Sequence, residues 1–270
     1  MKYVLTLLLA LSLWGCGSPA TAPAAPDRAA ATAPAMAAPL QRAMVAPSLV
    51  YRAIEVQQQL DAREGELLAE GAPWFRVVPG RIPVVITAPH ATRPLRNGKR
   101  RFSDGGGTAA LALALAELTG AHVVYTTEEG PSDPNYHDDN AFKHALAGLV
   151  RELQPRYVLD IHGSHAFRPY DIDLGTMHGE SLLGQDHLQQ GLVTSLRNEG
   201  ILNISGNYFA AAKNQTITKF VAALGVPAIQ VEVNTTYLSP SAGKIEAQRF
   251  SQLAQAMARF IESGWERPRG

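Results

Sequence analysis

The sequence predicts a three-layer α/β/α domain built on a mostly parallel, mixed central sheet. Short β-branched runs alternate with longer amphipathic stretches along most of the chain, the order that builds a parallel sheet with helices on both faces. Two of the runs, Ile82–Ala88 and Tyr157–Ile161, are apolar over most of their length, as strands covered on both faces are. Gly and Pro punctuate the boundaries, most plainly at Pro79-Gly80, Gly120 and Gly225.

The first 16 residues carry one Lys and then an apolar run from Val4 to Leu11 broken only by Thr6. That run is short for a membrane span and is placed like the core of a secretion signal. Leu13, Trp14 and Gly15 before Cys16 resemble a bacterial lipobox, with Trp14 where a small residue is usual. Cys16 is the only cysteine, so no disulfide can form within the chain, and lipidation is the role expected of it. An ordinary cleaved signal is the alternative. Gly17 after Cys16 resembles the signal for the outer membrane, so a lipid-anchored protein facing the periplasm is expected. Residues 17–47 are rich in Ala and Pro with almost no aliphatic periodicity, the composition of a semi-extended tether. One domain is expected over residues 48–270, roughly 220 residues and long enough for a sizeable core.

Within it, Leu60 to Glu70 reads as a short helix and Trp74 to Val78 as a strand that Pro79-Gly80 turns into the strand preceding His90. Ala109 to Leu118 is an apolar helix closed by Gly120. His122 to Tyr125 reads as a strand. Asn140 to Leu153 carries Phe142, Leu146, Leu149, Val150 and Leu153 at helical spacing. Strands follow at Tyr157–Ile161 and Asp171–Leu174, a helix at Leu188–Asn198 ended by Gly200, and another at Ile217–Leu224 stopped by Gly225 and Pro227. Ala228 to Val233 is a strand and Ala242 to Ser263 the closing helix.

Charge excludes little, yet it excludes something. Lys plus Arg equals Asp plus Glu at 24 each, so the chain has no electrostatic footprint for nucleic acid. A local basic loop, Arg93, Arg96, Lys99, Arg100 and Arg101, follows His90. It reads as a solvated turn about Asn97-Gly98, with guidance of an anionic substrate as the sharper alternative.

The chemistry gathers where strands end. Asp160 and His162 share one face of their strand and emerge at its carboxyl end, where open α/β sheets bind ligands. Pro89 ends the other strand and puts His90 just beyond it. Two strands thus deliver one histidine each, the beginning of a zinc site that needs a third protein ligand and an open position. Asp104, just before a helix, is the candidate, against its ordinary alternative as a helix N-cap. Asp160 is the fallback ligand, and His165 is expected to contact substrate. Glu232 sits in an otherwise apolar strand, where an unpaired carboxylate is costly to bury; it is placed to act as a general base, or else pairs with a cation at the strand end.

Ala88-Pro89-His90, Asp104 with Thr108, Leu159-Asp160-Ile161-His162-Gly163 and Val231-Glu232-Val233-Asn234 together resemble the N-formylglutamate amidohydrolase family, one of the zinc-carboxypeptidase-like α/β folds. The resemblance spans Trp74 to Leu238. It implies a hydrolase with one Zn2+ per chain that cleaves an amide of an N-acyl amino acid or related small acid, with His90, Asp104 and His162 as metal ligands and Glu232 as catalytic base. The chain departs from the pattern at Arg93, where the carboxypeptidases' His-x-x-Glu would place its glutamate, and at Asn140 and Lys143, where the family often has an Asn-Arg pair. Asn140 and Lys143 are expected to hold a substrate carboxylate, with Arg168 as substitute. Export points to a periplasmic substrate such as an acylated amino acid, a short peptide or a cell-wall fragment. A carboxypeptidase or peptidoglycan amidase on the same fold, and a binding lipoprotein without turnover, are the alternatives.

Overall fold

The computed structural model describes residues 43–66 and 68–265; the expected signal, Cys16 and nearly all of the expected tether lie outside them. In chain order the elements are α1 (Pro47–Ala62), β1 (Phe75–Val78), β2 (Val84–Ala88), the hairpin strands β3 (Leu95–Arg96) and β4 (Lys99–Arg100), α2 (Gly106–Thr119), β5 (His122–Thr126) and α3 (Ala141–Leu153). They continue with β6 (Tyr157–Ser164), β7 (Ile172–Gly175), α4 (His187–Asn198), β8 (Ile204–Gly206), α5 (Ile217–Ala223), β9 (Ala228–Asn234) and α6 (Lys244–Trp265). Seven strands form one mixed sheet in the order β1-β5-β2-β6-β9-β7-β8. The middle four are mutually parallel, β1 and β7 run antiparallel to their inner neighbours, and β8 follows β7 in parallel.

Strand alternation divides the core in two. Val84, Ile86, Leu159, Ile161, Ile229, Val231 and Val233 face a larger cluster with the buried sides of α1, α2, α4 and α6. Val85, Val124, Val158 and Ala228 face a smaller one with α3 and α5. On that second face the carboxyl ends of the strands turn polar. Thr87, Asp160 and Gln230 stand abreast in register, and one step on so do His162, Glu232 and Asp173. No helix of the described residues is long and apolar enough to cross a membrane.

Two expectations about the elements are overturned. The first helix spans Pro47–Ala62 rather than Leu60–Glu70, because Pro47 starts it and the chain turns at Arg63–Gly65, where Gly65 has φ +91. Pro79-Gly80 does not make a hairpin between β1 and β2. β1 lies on the far side of β5 and pairs with it, and Gly80 instead lets the chain run against the backbone of Gly120 and Ala121. Elsewhere the expected strands and helices are present with ends shifted by a few residues. β6 runs three residues longer than expected, so His162 belongs to the strand itself.

Candidate metal centre

β2 ends at Ala88, and His90 follows Pro89 with its side chain largely buried. Its carbonyl accepts the backbone N–H of Asp104 at 2.8 Å, which brings the loop before α2 across the end of the sheet. Gly163 makes room for that loop, since a Cβ there would meet the Asp104 carbonyl oxygen at 2.6 Å. The Asp104 carboxylate then lies 2.8 Å from His162 Nδ1 and 3.5 Å from His90 Nδ1. The two imidazoles stand edge to face with centroids 4.9 Å apart. One donor atom from each of His90, Asp104 and His162 lies within 4.8 Å of the others.

Asp104 does not cap α2. The N-cap residue is Gly105, no side chain of its own closes the cap, and the N–H of Gly106 donates instead to Asp61 at 2.8 Å. Asp160 is not placed beside Asp104 on the inner side of the imidazoles. It accepts His162 Nε2 at 3.2 Å and the Thr87 hydroxyl at 2.7 Å, so it supports the ring from behind. Asp133 does the same for His90, 2.8 Å from Nε2. Asp133 is fully buried and also takes two N–H bonds from Arg96, at 2.9 and 2.6 Å, and one from the Asn135 backbone at 2.8 Å. Each imidazole therefore presents Nδ1 inward while a carboxylate fixes Nε2.

Burial alone would lower both histidines. The neighbouring carboxylates, Asp104 then Asp133, raise His90 to about 9, and Asp160 then Asp104 raise His162 well above its ordinary value. Burial would raise Asp104, yet His90 and His162 hold it well below the carboxylate range; His90 and Arg96 do the same for Asp133. Without a cation, protons on the imidazoles balance the surplus of carboxylates. Two imidazole nitrogens and one carboxylate oxygen, each ring oriented by a carboxylate behind it, are the donor set and support that zinc takes. His90, Asp104 and His162 therefore fit a divalent metal.

Glu232 stands in register with His162 and is held by the Gln230 side-chain amide at 3.0 Å. Among the described residues no Lys or Arg pairs with it, and burial pushes it up to about 8. The strand-end ion pair weighed from the sequence is absent there.

The expected substrate residues separate. Asn140 is spent on the fold, its oxygen accepting the Lys143 N–H at 3.0 Å as the cap of α3 and its nitrogen donating to the His137 carbonyl at 2.8 Å. Lys143 is fully buried, with Nζ donating to Asp138 at 2.7 Å and the Gln215 carbonyl at 2.6 Å above the ring of Phe220. Both are committed mainly to holding α3 and its loop in place. Arg168 keeps a buried Nε without a hydrogen-bond partner among the described residues, while its Nη1 donates to the Tyr208 hydroxyl at 3.4 Å. His165 is exposed and stacks on Phe167. The basic loop is neither a solvated turn nor a guide throughout. Arg93 and Arg100 clamp Glu129, Arg100 also bonds the Gly130 carbonyl, and Arg96 is bound to Asp133; Lys99 and Arg101 remain exposed. Sequence reasoning missed Asp133, Arg96 and Thr87. Asp133-Pro134-Asn135 reads only as a turn, and nothing in its spacing links it to His90.

No protein-family model matches the chain, and no curated protein matches it. Solved structures do. An N-formylglutamate amidohydrolase from Ralstonia eutropha JMP134 aligns over 72% of this chain and all of its own at 15% identity and a TM-score of 0.51, which gives the two a common fold. A bacteriophage poly-gamma-glutamate hydrolase aligns over 73% of this chain and 93% of its own at 15% identity, TM-score 0.43. A metallo-carboxypeptidase from Pseudomonas aeruginosa, in complex with (2-guanidinoethylmercapto)succinic acid, aligns over 80% of this chain and 67% of its own at 14% identity, TM-score 0.47.

Proposed function

We propose that this chain is a zinc-dependent hydrolase of an amide in an N-acyl amino acid or small peptide, working in the periplasm from a lipid anchor on Cys16 in the outer membrane. The observation that carries the reading is Glu232, a half-buried carboxylate that no Lys or Arg among the described residues pairs with, in register with one of two histidines that share Asp104. Zinc held by His90, Asp104 and His162 would supply Lewis-acid chemistry, easing ionisation of water and polarising a carbonyl. Burial raises Glu232 to about 8; a divalent cation at the centre would favour its ionised form, and the ionised carboxylate takes the proton from the attacking water and delivers it to the departing nitrogen. The carbonyl carbon gains the oxygen, the C–N bond breaks, and a carboxylate and an amine leave. Asp133 and Asp160 keep both imidazoles in the tautomer that presents Nδ1. Arg168, whose Nε has no hydrogen-bond partner among the described residues, offers a donor to an anionic group of the substrate.

The test is a pair of variants assayed against N-acetyl and N-formyl amino acids and short peptides. Glu232→Gln should keep its zinc and lose hydrolysis by about 10²–10⁴-fold. His162→Ala should lose the metal as well. A Glu232→Gln protein as active as the wild type, or a metal-free wild type that hydrolyses at full rate, would overturn the reading. Anchoring is checked separately, by release of Cys16→Ser protein from the membrane fraction.

A further inference from the structure

Three aromatic side chains, two of them close in sequence to the ligand residues of the centre, are exposed. Phe102 is 82% exposed, Phe167 76% and Tyr208 50%. They are not scattered. Phe102 meets the edge of His165 with centroids 6.5 Å apart, and His165 stacks on Phe167 at 5.0 Å and 11°. The Arg168 guanidinium lies 5.5 Å from Phe167 and 5.7 Å from Tyr208, and Tyr208 meets Tyr170 edge-on at 5.3 Å. The result is a continuous ridge of rings interrupted by one cation. It begins two residues before Asp104 and passes through His165, three residues after His162, so it flanks the metal-binding residues. Exposed aromatic faces grouped around one cation in this way can receive a ligand that is apolar on one face and polar at its rim.

We infer that this ridge is a second subsite of the proposed amidohydrolase and holds a pyranose ring, so that the amide cleaved belongs to a sugar-linked peptide. The inference rests on the hydrolase reading and names its substrate class. The chemistry follows from how open the ridge is. An acyl chain is apolar all round and would leave much of its surface in water on a ridge; it calls for a closed groove. A pyranose is apolar only on the face where its C–H bonds point and keeps its hydroxyls at the edge, so it can cover the negative face of a ring and remain hydrated at its rim. The single cation, with a buried N–H still unpaired, suits the carboxylate of an acid or peptide carried on that sugar.

The experiment uses zinc-loaded Glu232→Gln protein, so that binding is read without turnover. The probes are muramyl dipeptide, its sugar-free dipeptide and an N-lauroyl amino acid, titrated by calorimetry. Muramyl dipeptide should bind at least about tenfold tighter than the free dipeptide, and Phe102→Ala or Phe167→Ala should each remove most of that advantage, the size of one stacked ring. Both side chains are exposed, so the variants should fold, and far-UV circular dichroism with a melting curve checks this. Equal affinity for the dipeptide with and without its sugar would overturn the inference. So would a lauroyl probe that binds best and is the one weakened by the two substitutions. The two readings fail separately. A wild type that hydrolyses N-acetyl amino acids but shows no sugar preference sinks only the subsite, whereas a chain with no hydrolysis of any amide sinks the enzyme reading first.

Discussion

The two histidines of the centre are supported in different ways. His162 lies within an eight-residue strand, and its carboxylate, Asp160, is two residues earlier on that strand and tied to Thr87 of the neighbouring one. His90 lies beyond the end of its strand, and its carboxylate comes from a loop 43 residues later, bound in turn by an arginine from a surface hairpin. One half is positioned by sheet register, the other by a relay of ion pairs. Orientation set by register should survive the loss of a single bond, whereas orientation set by the relay should not.

Asp104 belongs to both halves, and removing it is the harshest test. Asp104→Ala should weaken zinc binding by more than the roughly 10–100-fold that a supporting residue costs, measured by competition with a chromophoric chelator. The centre should also bind metal in competition with protons. A cation needs the imidazole nitrogen free, and His90 keeps its proton up to about 9 in the metal-free protein. Apparent affinity should therefore fall as pH drops below that value, with the proton that His90 releases on binding at pH 7 no longer released well above about 9. Calorimetry in buffers of different ionisation enthalpy reads the difference.

The next pair sets one half against the other. Asp133→Asn and Asp160→Asn should each lower zinc affinity by roughly 10–100-fold. They should differ in folding. Asp133→Asn leaves the Arg96 guanidinium, whose side chain is 17% exposed, facing a neutral amide, and breaking such a pair costs about 3 kcal/mol. Asp160→Asn keeps an oxygen for the Thr87 hydroxyl and loses the charged pairing with His162 but no arginine, so it should cost less than Asp133→Asn, which gives up its pairing with both His90 and Arg96. Urea unfolding of the metal-free proteins measures both, and equal losses would abolish the contrast between relay and register.

The same contrast decides what could be read from the chain. Asp160 and His162 were legible because their spacing of two fixes a shared face once the strand is recognised, and Glu232 because a lone carboxylate in an apolar strand asks for a reason. Asp133 and Arg96 were not, because a loop–loop ion pair leaves no periodic trace. Asn140 and Lys143 were read as substrate ligands where they cap and fill α3. The first helix escaped for a related reason. Its buried face is Leu49, Ala53, Gln57 and Leu60, a stripe in which Ala and Gln replace the aliphatic residues that usually reveal one. Gln57 can be buried because its amide bonds Asp61 and the Ser241 N–H.

The smallest effect is expected at Thr87. Thr87→Val removes one hydroxyl from Asp160 Oδ1, a bond of 2.7 Å between two fully buried side chains, while nearly matching the original volume. The lost bond should cost about 1 kcal/mol of stability. Zinc affinity should change by no more than about threefold, below the effect of deleting a supporting carboxylate. The reason is geometric. Thr87 and Asp160 remain register partners on adjacent parallel strands, so the Asp160 Cα and the bond to His162 Nε2 keep their places without the hydroxyl. On the other side Arg96→Met should do more, because Asp133 is a loop residue whose carboxylate, among the described residues, otherwise bonds only His90 and the Asn135 N–H. If Thr87→Val weakens zinc binding as much as Arg96→Met does, register alone does not hold the His162 half, and Thr87 is an orienting residue equal in weight to the arginine.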